Sequence, residues 1–150
     1  MRALLQRVNE AEVRVDGTVV GSCGRGLLVL LGVGEADDDA TAERLWHKVR
    51  GLRIFDDEAG KTNRSLEDVD GEVLVVSQFT LYADCRRGRR PSFTAAARPE
   101  VGRALYERFC ELAEADLGPS RVGRGVFGAD MRVSLENDGP FTVWLDTAEL

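Results

Sequence analysis

The sequence is poor in the side chains that most often bind metals or carry catalysis. It has three cysteines, Cys23, Cys85 and Cys110, and a single histidine in 150 residues. The cysteines are odd in number, far apart and without metal-ligand spacing, which argues against a disulfide framework or a zinc site. We interpret them as structural thiols, and no pair of acidic residues has the pattern of a metal clamp. We therefore expect no metal and no other cofactor.

The one histidine, His47, does not suggest a catalytic base. It lies between Trp46 and Lys48 in a predicted helix, with no nucleophile nearby in the sequence. A serine, histidine and acid triad is therefore not expected. The sequence also lacks a Gly-x-Ser-x-Gly elbow, a Walker loop and a dinucleotide-binding fingerprint. If the protein is an enzyme, acid–base catalysis by side chains is not its obvious method.

Long apolar segments are also lacking near the start of the chain. Charged residues interrupt the first thirteen positions, which therefore resemble neither a signal peptide nor a membrane span. We expect the protein to remain in the cytoplasm, where its thiols would stay reduced. No repeat, low-complexity tract or linker divides the sequence, so residues 1–150 are predicted to form one domain.

Basic residues are outnumbered by acidic ones overall but are concentrated at one place. The net charge is −6, with 20 basic and 26 acidic residues, which disfavours a polyanionic partner. Against this average, Arg86, Arg87, Arg89 and Arg90 fall within one predicted loop, called here the arginine loop (residues 86–90). Such a cluster is either a solvated surface or a contact for nucleic-acid phosphates, and the sequence leaves both open.

Hydrophobic periodicity predicts an α/β fold: a single layered domain of mixed, largely antiparallel β-sheets with two main helices. The predicted strands cover residues 11–15, 18–20, 27–33, 52–55, 73–81, 131–135 and 141–145. One helix follows an acidic cap at residues 37–39 and extends to Leu52. The other is opened by Pro99 and closed by Gly118-Pro119, with Val101, Leu105, Phe109 and Leu112 on its apolar stripe.

Two polar motifs stand at the ends of strongly apolar strands. They are Ser77-Gln78-Phe79-Thr80 and the segment from Asn137 to Thr142, which contains Gly139-Pro140. Each sets hydroxyl and amide side chains where a strand ends. Taken alone, the first is also explained as a strand end that satisfies its own backbone, and the second as an ordinary turn between two strands. A cis Gly139-Pro140 bond cannot be deduced from the sequence.

Together these motifs resemble the two signatures of D-aminoacyl-tRNA deacylases, Ser-Gln-Phe-Thr and Asn-x-Gly-Pro-x-Thr. The resemblance extends along the whole chain. It includes Gln6-Arg7-Val8, Leu52-Arg53-Ile54-Phe55-Asp56, Arg90-Pro91-Ser92-Phe93 and the segment from Gly125 through Phe127 to Met131. Ordered motifs across 150 residues are far more specific than one short match.

The resemblance implies a homodimer that hydrolyses the ester between a D-amino acid, or glycine, and tRNA. The two motifs would meet from opposite subunits, with a cis Gly139-Pro140 peptide inserted into the partner's pocket to reject L-amino acids. The terminal 2'-hydroxyl of the tRNA would assist the attacking water. The implied catalytic segment is Ser77, Gln78, Phe79 and Thr80. The implied substrate-binding residues are Gly139, Pro140, Asn137, Thr142, Arg7, Phe127 and Met131, and Arg7 would hold the Gly-Pro turn.

Two other classes of function stay open at this point. A non-catalytic RNA- or ribosome-binding dimer could use the arginine loop and stack bases on Phe79, Tyr82 and Phe93. A conventional hydrolase could use Thr80 or Cys85 as a nucleophile on a small ester. No base adjoins Thr80 in the sequence to activate its hydroxyl.

Overall fold

The main sheet is organised around its first strand. In the computed structural model, which describes residues 1–150, β1 (Arg2–Val15) pairs antiparallel with β2 (Thr18–Cys23) and then β3 (Gly26–Gly32) along one edge. β8 (Arg132–Asp146) pairs antiparallel with the other edge of β1. The other elements are α1 (Asp39–Gly51), β4 (Phe55–Asp56), β5 (Thr62–Arg64), β6 (Glu72–Ser77), α2 (Pro99–Leu117) and β7 (Val122–Arg124).

The sheet is mixed, as predicted. β6 lies parallel to β3, and β7 lies parallel to β6, so six strands form one sheet while β4 and β5 form a separate pair. α1 and α2 cover one face and contribute ten of the 24 buried residues in the larger apolar core. A smaller apolar cluster lies on the opposite face. The expected α/β class, with largely antiparallel sheets and two main helices, is confirmed.

Several local predictions are confirmed by this architecture. Asp16 and Gly17 have φ values of 49° and 80°, the left-handed geometry that a tight turn between β1 and β2 requires. The apolar run from residue 27 forms β3, whose alternating side chains enter the two core clusters on opposite faces. Asp38 caps α1 by accepting a hydrogen bond from the Thr41 main-chain nitrogen at 2.8 Å.

The second helix also begins and ends where predicted, at Pro99 and before Gly118. One member of its predicted stripe was wrong, because Val101 is 43% exposed and lies outside the core. Tyr106, which the stripe did not include, is buried instead. No helix of the protein combines the length and the apolar character needed to cross a membrane.

The predicted strand over residues 73–81 was too long. β6 ends at Ser77, and residues Phe79–Tyr82 form a 3-10 helix. The Gln78 main-chain nitrogen still donates to the Leu31 carbonyl at 2.7 Å, after which the Leu81 nitrogen donates back to the Gln78 carbonyl at 3.2 Å. The apolar alternation therefore continues in the sequence beyond the point where the chain turns. The predicted strand over 52–55 was also wrong in extent, since only residues 55 and 56 pair.

The two predicted strands over residues 131–145 are one strand. β8 pairs with β1 on both sides of the Gly-Pro segment, with Thr142 opposite Gln6 and Asn137 opposite Val8. Four residues, 138–141, therefore stand opposite the single residue Arg7, and we call them the bulge. The turn-like sequence predicts the end of a strand, because nothing local reveals that β1 continues alongside it.

Candidate active site

The first polar motif forms a tight turn at the carboxyl end of β6. Ser77 and Gln78 are half-buried, whereas Phe79 and Thr80 are exposed. Because Leu81 is the first residue to donate back into the 3-10 helix, the main-chain N–H groups of Phe79 and Thr80 precede its hydrogen-bonded part. We call residues 77–80 the polar turn. Its two leading N–H groups are suited to bind a developing oxyanion.

The Thr80 hydroxyl has an amide, not a base, beside it. The Gln78 side-chain nitrogen donates to Thr80 Oγ1 at 2.5 Å. The single histidine is exposed on α1 and makes no hydrogen bond to this turn. Activation of Thr80 as a nucleophile requires a group that takes its proton, and an amide nitrogen cannot do so. The contacts therefore do not favour Thr80 as the nucleophile.

The second polar motif forms the bulge, which Asn137 closes. The Phe141 main-chain nitrogen donates to Asn137 Oδ1 at 2.8 Å, and Asn137 Nδ2 donates to the Phe141 carbonyl at 3.2 Å. Between them the Gly139-Pro140 peptide is cis, and Gly139 has a φ of 143°. Both Gly139 and Pro140 are exposed. The bulge therefore presents a fixed main-chain surface to the outside of the protomer.

Arg7 anchors the bulge from beneath. Its side chain is 8% exposed, and Nε lies 3.0 Å from both the main-chain carbonyl and the carboxylate of Asp138. Nη1 donates to the Ile54 carbonyl at 2.8 Å and lies 3.6 Å from Asp56 Oδ1. The guanidinium carbon lies 5.0 Å from the centre of the Phe141 ring. One buried cation thus fixes both ends of the bulge and the segment before β4.

Thr142, the last residue of the motif, lies on β8 just beyond the bulge. Its hydroxyl oxygen is 3.4 Å from Gln6 Nε2, which can donate to it. Thr142 is exposed, whereas Gln6 is half-buried. This contact joins the motif to the neighbouring strand β1 and leaves one side of the hydroxyl facing outward.

Phe127 and Met131 lie on a segment that approaches the end of β6. Tyr106 Oη is 3.0 Å from the Val75 carbonyl and 3.1 Å from the Gly125 carbonyl, so it joins β6 to that segment. The Phe127 ring packs against Tyr106, with ring centres 5.9 Å apart. Met131 packs against the smaller core cluster, which includes the β6 residue Val76. Both predicted substrate-binding residues therefore lie on the segment joined to the strand that carries the polar turn.

Within one protomer no hydrogen bond, ion pair or aromatic contact joins the polar turn to the bulge. The polar turn follows β6, on the far side of β3 from β1. The bulge lies on β8, along the opposite edge of β1. The structure therefore brings the members of each motif together but does not bring the two motifs into contact.

The arginine loop is exposed throughout and mostly unpaired. Arg86 forms an ion pair with Asp84 at 2.7 Å, and this guanidinium lowers the pKa of the Asp84 carboxyl well below its usual range. Arg87, Arg89 and Arg90 have no carboxylate partner. Three of the four cations are therefore free to meet an external anion.

The cysteines divide into two kinds. All three are free, as expected, and burial raises the pKa of Cys23 and Cys110 to about 12. Cys85 is exposed, so its interpretation as a structural thiol was wrong. It follows Asp84 at the base of the arginine loop.

Sequence reasoning missed two residues that support these motifs. Tyr106 falls on the buried stripe of α2, and only its two carbonyl acceptors reveal its position at the end of β6. Asp56 belongs to a motif noted above, yet its ion pair with Arg7 depends on the Arg7 side chain reaching the segment around β4. The spacing of Tyr106 from Phe109 and Ala113 could have shown its burial, but not its partners.

Comparisons with known proteins agree along the chain. A family model described as D-Tyr-tRNA(Tyr) deacylase matches residues 4–146. The D-aminoacyl-tRNA deacylase of Thermomicrobium roseum is 64% identical, over 100% of this chain and 96% of that protein. That of Thermotoga petrophila is 58% identical, over 100% of this chain and 99% of that protein.

Two solved structures share the fold. One, described as c-Myc DNA Unwinding Element Binding Protein, has a TM-score of 0.92 and 39% identity, covering 97% of this chain and 98% of that one. Another, described as a probable eukaryotic D-amino acid tRNA deacylase, has a TM-score of 0.80 and 26% identity, covering 96% of this chain and 97% of that one. The chain belongs to the D-aminoacyl-tRNA deacylase family, a family of hydrolases that act on a carboxylic ester.

Proposed function

We propose that the protein hydrolyses the ester of D-aminoacyl-tRNA, and of glycine mischarged on tRNA, to the free amino acid and tRNA. The observation that carries this proposal is the bulge: a rigid Gly-Pro main-chain surface, held by Arg7 and Asn137, that faces outward from the protomer. An exposed and well-anchored backbone is suited to test the shape of a substrate from a second subunit. Membership of the family supports the same reaction.

The proposed active unit is a homodimer with two sites at the subunit interface. β8 has β1 on one edge and no strand on the other, so its outer edge offers unpaired main-chain groups over a long strand. Val133, Leu135 and Trp144 of this strand are exposed apolar side chains. A second copy on this surface would cover them and would bring its bulge to the polar turn that one protomer leaves separate.

Chiral selection in this arrangement is steric. The main-chain carbonyls of Gly139 and Pro140 would face the α-amino group of the substrate, and an L side chain would point into this main-chain surface. A D side chain would point away to solvent, so many D-amino acids and glycine would be accepted. Fixed backbone suits such a role, because rejection rests on a built-in clash.

The reaction is assigned to water assisted by the terminal 2'-hydroxyl of the tRNA. The N–H groups of Phe79 and Thr80 would stabilise the oxyanion, an effect of about 10²–10³ in rate for one good donor. Gln78 and Ser77 would position the terminal adenosine, with Phe127 and Met131 beside it. The absence of a base next to Thr80 supports a role for the RNA hydroxyl.

The arginine loop is assigned to phosphates of the acceptor stem. Its three unpaired cations are concentrated on a protein of net charge −6, so they form a local site for a polyanion. We propose that the protein acts in the cytoplasm, because translation supplies a substrate of this kind there.

The direct test is release of D-tyrosine from D-tyrosyl-tRNA by the purified protein, beside the L-tyrosyl and glycyl forms and with a chelator present. We expect rapid release from the D and glycyl forms, slow release from the L form and no effect of the chelator. Release from none of them would refute the proposal and favour a non-catalytic RNA-binding dimer.

A further inference from the structure

The ring of Phe79 is a feature that the proposed chemistry does not use. Only the main chain of Phe79 takes part in the polar turn, while its side chain is 59% exposed. The ring packs edge to face on Phe93, with centres 5.1 Å apart and an angle of 72°. The pair leaves apolar ring surface in water directly beside the proposed reaction site.

The same pair is tied to the arginine loop by main-chain hydrogen bonds. The Asp84 nitrogen donates to the Ser92 carbonyl at 2.7 Å, and the Ser92 nitrogen donates to the Asp84 carbonyl at 3.0 Å. This bridge closes residues 85–91 into a loop. Phe93 follows Ser92 of the bridge directly. The 3-10 helix that begins at Phe79 ends at Tyr82, two residues before Asp84 of the bridge. The bridge therefore holds the base of the arginine loop beside the two rings.

Aromatic rings beside free cations are typical of surfaces that bind single-stranded nucleic acid. There, the rings stack on bases while the cations meet the phosphates. Arg87, Arg89 and Arg90 are exposed and have no carboxylate partner. The 3' end of tRNA is unpaired where it reaches the ester, so its chemistry matches both parts of this surface.

We propose that Phe79 and Phe93 form a stacking platform for the unpaired nucleotides that precede the terminal adenosine. The arginine loop binds phosphates where these unpaired nucleotides join the acceptor stem. This inference rests on the proposed function. It adds that the protein also binds the nucleotides that precede the one carrying the ester. Because every base has a face that can stack, the platform accepts different bases, and it gives affinity rather than sequence selection.

The first test compares a long and a short substrate. The ratio of kcat/KM for D-tyrosyl-tRNA to kcat/KM for D-tyrosyl-adenosine isolates the contribution of nucleotides before the terminal one. We expect Phe93→Leu, which keeps apolar volume but removes the aromatic face, to lower this ratio about ten-fold. Phe93→Trp, which keeps an aromatic face, is the matched control and should hold the ratio within about two-fold. An unchanged ratio in Phe93→Leu, or an equal fall in both variants, would overturn the platform.

The second test does not depend on hydrolysis. The protein is titrated with a single-stranded oligonucleotide that has the sequence of the tRNA 3' end and carries no amino acid. The Kd should be about ten-fold weaker for Phe93→Leu than for the wild type. If the wild type hydrolyses neither D-tyrosyl-tRNA nor D-tyrosyl-adenosine, but binds the oligonucleotide more tightly than Phe93→Leu does, the proposed function fails and the platform stands. If hydrolysis is selective for the D form but the Kd is equal, the platform fails alone. A weaker Kd could also arise if Phe93→Leu dissociated a dimer, and sedimentation tests this. Dissociation of the dimer would show that a second copy covers the rings and would overturn the platform.

Discussion

Replacing Arg7 with methionine tests whether the buried cation holds the bulge in place. Methionine keeps much of the aliphatic volume but loses the charge-assisted hydrogen bonds to the carbonyls of Asp138 and Ile54. Such bonds contribute about 1.5–3 kcal/mol each. Asp56 and Asp138 have side chains 48% and 39% exposed, so water can solvate them again and their lost ion pairs add little. Two such bonds, each taken at the lower end of that range, give an expected loss of about 3 kcal/mol in the free energy of unfolding.

Urea denaturation of the variant measures this loss. A change of that size is a drop of about 1–2 M in the urea midpoint, and it leaves a domain of typical stability folded. The matched control is Arg14→Met on the same strand, whose exposed side chain contacts Glu12 and the Gly17 carbonyl. The control should change stability by no more than about 0.5 kcal/mol. Activity should fall at least ten-fold for Arg7→Met, with a smaller preference for D- over L-tyrosyl-tRNA. Equal stability losses in the two variants would refute the anchoring role.

Four further changes test the other parts of the site. Thr80→Ala should keep much of the kcat on D-tyrosyl-tRNA, and loss of kcat with unchanged binding would restore the threonine nucleophile. Gly139→Ala places a Cβ 2.7 Å from a main-chain nitrogen at a φ that L side chains rarely adopt. It should cost about 1–3 kcal/mol of stability and raise hydrolysis of the L ester, and unchanged rejection of that ester would contradict the chiral role of the bulge. Neutralising Arg87 and Arg89 with glutamine should raise KM for tRNA and reduce the slope of its salt dependence by about 1.4–1.8, whereas an unaltered slope would show that the loop is ordinary solvated surface. Iodoacetamide should modify native protein at Cys85 alone without loss of activity, and inactivation would support a cysteine hydrolase; the two buried thiols should react only after unfolding.

The sequence predicts the order of strands and helices well where periodicity and cap residues are local signals. Asp38 and Pro99 mark the starts of the two helices because capping depends on adjacent residues. The end of β6 was not predictable in the same way. Phe79 and Leu81 continue the alternation of the strand, but the chain turns there once its pairing with β3 is complete.

In the candidate site, too, local features were predictable and contacts between distant segments were not. The motifs identify their own members, and the structure brings each motif together locally. The contacts of Arg7 depend on β1, β4 and β8 meeting, which no local pattern encodes. Tyr106 was missed for this reason too, since its hydroxyl bonds link strands far apart in the sequence.

The pairing of β8 on both sides of the bulge has a consequence for variation in this chain. In a strand, deletion of one residue moves every later side chain to the opposite face. Here β1 holds the two halves of β8 independently, with Asn137 and Thr142 fixed at the borders. A change of length between those borders therefore alters only the bulge and leaves the pairing of both halves of β8 unchanged. Residues 138–141 can therefore be exchanged as a unit, so the main-chain surface that we propose tests the shape of the substrate can be redesigned without rebuilding the sheet that carries it.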